Sequence, residues 1–410
     1  MTGPTADLLI RDIPELLTMN PLVGGGPLGR LEGAAVAFTG GAVSWLGPSA
    51  HAPSARQVVD GRGCVGLPGL VDCHTHALFA GSRAEEFQRR LSGASYTEIL
   101  ESGGGILSTV RATRAASDDS LAQTLDARLG GFLRKGVTTV EVKTGYALST
   151  VHELRCLLLL RSRQWPVRVV STFLGAHAVP PEWRGDRAGY VREIIERMLP
   201  AVAPLADAVD VYCDRGAFTL EETRAILTAG LARGLTGRVH AEQVAHTGAA
   251  ALAGELGCAS ADHLERVDEA GIAAMARGGV VGVLLPGAML YLRDAPPPVA
   301  ALREAGVSMA VATDFNPGTS PVRDLLACAT LACVTMGLSV EEALLGVTRH
   351  AGAALARPAL GWLGEGSAAD LVLFRPPPGE PARASALVQY MGGHAARLVV
   401  RDGAVVWATR

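Results

Sequence analysis

Histidines and a carboxylate recur after short apolar runs through the middle of this 410-residue chain. His74-Thr75-His76 follows Gly66–Cys73, His177 follows Val167–Leu174, His240 ends Gly237–His240, His263 ends Ala259–His263, and Asp314 follows Met309–Thr313. Five of the ten histidines therefore stand at the ends of such runs. Imidazole nitrogen and carboxylate oxygen together suit Zn²⁺ or iron. His74 and His76 are two positions apart on an extended segment, so their side chains point the same way and reach one ion. With His240 and Asp314 from other runs, three histidines and one carboxylate leave a position for water, as a catalytic metal site requires. A lone histidine in an apolar stretch is more often a satisfied core residue, and His152, His246, His350 and His394 are read so. Asp314 alone could cap a turn. The common placement is what separates the set from that reading.

The elements that must position these residues can be counted. Eight β-type runs alternate with Ala/Leu/Arg/Glu-rich helical stretches: Gly66–Cys73, Val137–Val142, Val167–Leu174, Ala208–Cys213, Gly237–His240, Ala259–His263, Val280–Leu284 and Met309–Thr313. Stretches such as Leu220–Arg233 and Val267–Arg277 have helical composition. Strict alternation predicts an α/β fold with a parallel sheet, and eight units predict a closed (β/α)8 TIM-type barrel. Its strand ends converge on one rim, where active sites are built. The two termini read as β. Ala34–Leu46 turns at Gly40-Gly41, and Leu398–Val400 and Val405–Trp407 flank Asp402-Gly403, after Asp370–Phe374. Each terminus is too short to fold alone. Residues 1–65 and 365–410 are expected to share one small β-sandwich, interrupted by a barrel over 66–364.

Composition narrows the partners. Apolar residues make up 49% and charged ones 19%, with a net charge of −3. That is a globular chain with no basic footprint for nucleic acid or a membrane surface. The seven cysteines are scattered without a CxxC pair, which predicts reduced, mostly buried thiols. Asp7, Arg11, Asp12 and Glu15 interrupt what would be a signal-peptide core, and no apolar run reaches the roughly 18 residues a membrane span needs. A cytoplasmic enzyme acting on a small molecule is expected.

GLPGLVDCHTH (Gly66–His76) resembles the first-strand signature of the amidohydrolase superfamily. HTHALFAGSRAEEF (His74–Phe87), VEVKTGYAL (Val140–Leu148), TFLGAHAVP (Thr172–Pro180), DVYCD (Asp210–Asp214), HAEQ (His240–Gln243) and ATDFNPGTSP (Ala312–Pro321) are similar, in the same order, to the imidazolonepropionase family. The resemblance implies a barrel flanked by a β-sandwich from both termini, and a homodimer is common among such barrels. It implies metal-dependent hydrolysis of the cyclic amide of 4-imidazolone-5-propanoate to N-formimidoyl-L-glutamate, a step of histidine degradation. By motif, His74, His76, His240 and Asp314 would bind the metal, zinc or iron. Arg83 would meet the substrate propionate, Tyr146, His177 and Gln243 would face the substrate, and Asn316, Gly318 and Thr319 would form the loop that holds product or ring. An arginine suits a carboxylate arm through bidentate pairing, although Glu85 and Glu86 offer Arg83 a surface ion pair instead.

The implied mechanism uses metal-activated water, its pKa lowered toward about 7, against the ring carbonyl. His177 or protonated His263 would donate to the oxyanion, and Asp314 would pass a proton to the departing nitrogen. Some relatives carry Glu where this chain has Gln243, which cannot titrate. Gln243 is read as a hydrogen-bonding residue, with His263 and Asp314 doing the proton work and Glu242 as the neighbouring alternative. Two-metal relatives often use a carboxylated lysine on the fourth strand. That strand ends in Cys213-Asp214 here, while Lys143 follows the second, so one metal is expected. The competing readings are another cyclic amidase or nucleobase deaminase, which ammonia release would reveal, and a binding protein without activity, which metal analysis would test.

Overall fold

A computed structural model describes residues 5–93 and 104–409. The strands fall into two sheets. One gathers both termini: β1 (Ala6–Leu17), β2 (Arg30–Thr39), β3 (Ala42–Pro48), β4 (Ala55–Asp60) and β5 (Val65–Pro68) pair with three late strands in the order β16-β15-β14-β5-β1-β2-β3, with β4 added beside β1. The other holds β6 (Leu70–Asp72), β7 (Val137–Lys143), β8 (Arg168–Ala176), β9 (Ala208–Cys213), β10 (Thr236–Ala241), β11 (Ser260–His263), β12 (Val281–Leu284) and β13 (Met309–Val311), neighbours in chain order. The late strands of the first sheet are β14 (Leu371–Phe374), β15 (Ala396–Arg401) and β16 (Ala404–Ala408).

All pairings within the second sheet are parallel. Its ends meet just past the strands: Asp314 N–H donates to His74 O at 3.0 Å and His76 N–H to Phe315 O at 2.9 Å. The (β/α)8 reading is therefore right in kind and in count. These closing bonds join the two segments that carry His74, His76 and Asp314, so barrel closure and site assembly are one event.

Helices cover the barrel for ordinary reasons. Asp118–Arg134 starts behind Ser117, whose hydroxyl accepts from Ser120 N–H. Asp118 and Asp119 sit in its first turn and Arg134 in its last, matching the helix dipole. Leu121, Leu125, Leu129 and Phe132 form the buried stripe that i, i+4 and i+3 spacing predicts. Leu220–Leu231 opens with a reciprocal capping box between Thr219 and Glu222.

The run Gly66–Cys73, read from sequence as one strand, is two. Val65–Pro68 pairs antiparallel with β14 in the terminal sheet, and Leu70–Asp72 begins the barrel. Gly69 makes the passage: its N–H donates to Asp370 O, and a Cβ there would lie 2.2 Å from Thr138 Oγ1. In the terminal sheet, Leu8, Ile10, Phe38, Leu371, Leu373 and Val400 share one buried cluster. The turns at Gly41 and Gly403, toward opposite ends of the strand order, meet, a Cβ on Gly403 falling 2.9 Å from Gly41 Cα, so the sheet folds over onto its own apolar face. All seven cysteines are free thiols, six of them buried and Cys333 partly so. No helix among the described residues is long and apolar enough to cross a membrane.

Candidate active site

The expected ligands converge inside the barrel mouth. His74 and His76 leave β6 on one side of the chain, while Thr75 turns to β7, its hydroxyl donating to Glu141 O at 2.6 Å. The His74 and His76 Nε2 atoms each lie 3.4 Å from Asp314 Oδ1. His240 Nε2 lies 3.4 Å from His76 Nε2. Four donors bound tetrahedrally at about 2.0–2.1 Å stand about 3.3–3.4 Å apart, and these three contacts have that spacing; the donors fall into two overlapping triads, His74–His76–Asp314 and His74–His240–His263. All four side chains are buried, and His74 Nε2 has no hydrogen-bond partner. His263 also comes within ligand reach of His74 and His240.

Two carboxylates fix the imidazoles. Asp262 Oδ2 is 2.6 Å from His74 Nδ1, and Asp210 stands 3.1–3.2 Å from His240 Nδ1. A proton held at Nδ1 leaves the Nε2 lone pair for a metal, and the contact orients the ring. Behind them lies Lys143, wholly buried. Burial pulls its pKa down, but Asp210, Glu141 and Asp262 outweigh it and the ammonium is strongly favoured. The donor set, the unpartnered nitrogen and the carboxylate backing all fit a resident cation.

Backbone strain collects here. Glu242 (φ 58°), His263 (φ 82°), Leu264 (φ 73°) and Asp314 (φ 50°) are left-handed without being glycine. Such conformations persist only where surrounding structure imposes them. At the end of β11 the left-handed turn breaks strand alternation. Asp262 and the next residue, His263, consequently both reach the site.

A cavity of about 560 Å³ opens above these ligands, within the range of small-molecule sites. Arg83, Tyr146, His177, Gln243, Asn316 and Thr319 line it together with His76, His240, His263 and Asp314. Arg83 faces the cavity, while its Nε donates to Glu86 Oε2 at 2.9 Å and its Nη2 pairs with Glu86 Oε1. Gly318 lies against it, where a Cβ would fall 2.0 Å from Arg83 Nη1. Tyr146 packs edge-on to Phe79, and burial raises its pKa, so the phenol stays protonated. Gln243 Oε1 accepts from Tyr212 OH at 2.9 Å, which leaves its amide N–H groups for the cavity. Asn316 is committed locally: Nδ2 donates to Asp314 and Thr319 while Oδ1 accepts from the Gly318 and Thr319 N–H groups. It holds the loop together and steadies Asp314.

Two sequence assignments change. His177 Nδ1 faces Gly145 O at 3.0 Å, so it must carry the proton. Burial, helped by His240, pushes the His177 pKa down to about 3. The neutral ring presents an Nε2 acceptor, not the oxyanion donor expected. Glu242 does not line the cavity; its Oε1 accepts from Gly248 N–H and lies 3.6 Å from His246 Nδ1. His263 keeps a donor's character: burial opposes its charge, but Glu265, Asp314 and Asp262 outweigh burial and raise its pKa. In the metal-free protein, burial raises the Asp314 pKa to about 6.

Comparison with known proteins places this arrangement. The Amidohydrolase family profile matches residues 86–407. Imidazolonepropionase from Acidiphilium cryptum is 51% identical over 80% of this chain and 83% of its own length. The Polaromonas imidazolonepropionase is 47% identical over 92% and 90%. The chain belongs to the imidazolonepropionase family. Solved structures with the same fold include a triazine hydrolase from Arthrobacter aurescens (TM-score 0.76, 20% identity, 98% and 94% coverage). Another is an adenosine deaminase from Xanthomonas campestris with bound zinc (TM-score 0.73, 20% identity, 98% and 93% coverage).

Several residues of this imidazolonepropionase-family site escaped the sequence reading. Asp210, though part of the DVYCD motif, and Asp262 carry no role in the sequence reading, yet they are the carboxylates that contact the His240 and His74 rings. Tyr212, which anchors Gln243, and the buried Lys143 and Glu141 were not assigned roles. The available signal was Asp210 inside the otherwise apolar strand Ala208–Cys213, since such a group needs a buried partner; the polar neighbours Ser260 and His263 hide Asp262.

Proposed function

We propose that this chain hydrolyses the ring amide of 4-imidazolone-5-propanoate to N-formimidoyl-L-glutamate, with one divalent ion held by His74, His76, His240 and Asp314. The observation that carries the reading is the chain of 3.4 Å contacts that links four buried donor residues beneath a cavity that Arg83 lines. Three imidazoles and one carboxylate suit zinc and iron alike. When bound, such an ion would supply Lewis acidity and lower the pKa of water to about 7.

The chain's own residues do the rest. Arg83 takes the substrate carboxylate on its Nη1 edge, Glu86 holding the guanidinium from the other side. Gln243 N–H and Tyr146 OH donate to the ring, and the His177 Nε2 lone pair accepts from a ring N–H. His263 donates to the carbonyl oxygen as negative charge develops there. Asp314 takes a proton from the attacking water and returns it to the ring nitrogen as the C–N bond breaks, so water is added across that bond. Gln243 cannot share this proton transfer, and Glu242 faces away.

The test is loss of the ultraviolet absorbance of freshly generated 4-imidazolone-5-propanoate, with chelator-stripped and metal-replete protein side by side. Metal-restored turnover yielding N-formimidoyl-L-glutamate is expected, with elemental analysis separating zinc from iron. Metal-loaded protein that leaves this compound untouched, or releases ammonia from a nucleobase instead, would sink the assignment.

A further inference from the structure

Lys143 sits at the centre of the buried charge beneath the ligand histidines. Its Nζ is 2.8 Å from Asp210 Oδ2, 2.8 Å from Glu141 Oε1 and 3.8 Å from Asp262 Oδ2. Asp210 and Asp262 are the two carboxylates that hold His240 and His74 at Nδ1. Its backbone N–H donates to Thr75 O at 3.0 Å, between the His74 and His76 positions. Lys143 thus reaches both orienting carboxylates with its ammonium and the His-Thr-His segment with its backbone N–H, from β7, a strand that supplies no ligand.

The other buried cation, Arg238, does a different job. It donates to Cys73 O and Ala354 O and lies 3.8 Å from Glu141. No direct ion pair joins it to Asp210 or Asp262 among the described contacts. The two cations therefore share a cluster and differ in what they touch.

We propose that Lys143 is a positioning residue for the metal site, clamping Asp210 and Asp262 so that His240 and His74 both present Nε2 to one ion. Without the ammonium, three buried carboxylates face each other around a gap. Asp210 and Asp262 then lose their common anchor, and the two imidazoles are free to rotate. The proposal rests on the metal-site reading above, and its loss would appear first in metal affinity. Disturbing the partners behind ligating histidines typically weakens a metal about 10–100-fold.

The experiment is chelator-competition titration of zinc and cobalt into wild-type, K143M and R238M protein, each checked for fold by circular dichroism. Visible spectra of the cobalt forms report coordination geometry. K143M is expected to bind about 10–100-fold more weakly and to show an altered cobalt spectrum. R238M is expected to lose thermal stability while keeping the wild-type affinity and spectrum. Wild-type protein that binds no metal would overturn the metal-site reading itself. Wild-type protein that binds beside a K143M variant of equal affinity and spectrum overturns the clamp alone. Equal weakening in R238M would overturn it too, by showing that any loss from the charge cluster suffices. If K143M does not fold, K143Q, which keeps a hydrogen-bond donor but not the charge, is measured in the same way against the same criteria.

Discussion

His263 and His240 have similar surroundings but different assignments, and substitution separates them. His240 Nε2 lies 3.4 Å from His76 Nε2, whereas His263, lining the same cavity, has Glu265, Asp314 and Asp262 around it. H240Q is expected to lose the metal. H263Q is expected to keep about one ion per chain and to lose roughly 10²–10⁴-fold in kcat. Retention of kcat by metal-loaded H263Q would remove His263 from the chemistry. Arg83 invites a sharper test, because Glu86 already occupies one edge of its guanidinium. R83M should raise KM for the propanoate substrate by about 10–100-fold, the size of a lost charged hydrogen-bond pair of about 1.5–3 kcal/mol. An analogue lacking the carboxylate should be nearly indifferent to the same change. Equal effects on both substrates would mean that Arg83 only holds the loop against Gly318.

At the scale of elements, strand order and strand ends were legible because β/α alternation leaves a strong pattern in an apolar chain. Seven of the eight barrel runs lie within a few residues of their strands. The first does not, because one apolar sequence serves two sheets in succession and composition cannot mark where it changes partner. Charges inside the barrel were illegible for a related reason. A strand that alternates apolar and charged residues reads as half-exposed, yet Glu141, Lys143, Asp210, Arg238 and Asp262 are buried inside the barrel, three carboxylates clustered with two cations. Their mutual pairing depends on neighbours that sequence distance hides. His177 misled through its tautomer, which only the Gly145 carbonyl reveals. The passage between sheets also yields a prediction. Gly69→Ala should destabilise the protein by about 1–3 kcal/mol, as overpacking does, since its Cβ would meet Thr138 on β7. Urea denaturation measures this, and an unchanged midpoint would show that the junction can relax.

For the whole molecule, the site's burial sets a dependence of stability on pH. His74, His76 and His177 are buried, and in the metal-free protein burial, the largest cause for each, lowers their pKa values, His177 to about 3. The unfolded chain titrates near about 6.5, so below that pH it binds protons that the folded state refuses. The histidine contribution is therefore full above about pH 6.5 and declines as pH falls toward 3, opposed by Asp72 and Asp314, whose burial-raised pKa values of about 7 and about 6 let the folded state take up protons before the unfolded chain does. Carboxylates add a second loss at lower pH. Burial raises the pKa of Glu86 and Glu222, but Arg83 and Arg187 outweigh it, leaving both below the usual value near about 4.3. Their stabilisation disappears only as pH drops through those lowered values. The two losses respond differently to salt and to substitution. The carboxylate pairs are partly exposed, and roughly 1 M salt shortens the screening length to about 3 Å, which should flatten the limb below about pH 4.5. H177N removes one buried imidazole and should flatten the limb between about pH 6.5 and 4.5. Thermal midpoints of metal-free wild-type and H177N protein across this range, at two salt concentrations, separate the contributions. Wild-type and H177N midpoints that run parallel from pH 7 down to 4.5 would show that unliganded His177 takes up a proton as readily in the folded protein as in the unfolded chain. The barrel mouth would then open to water whenever the metal leaves.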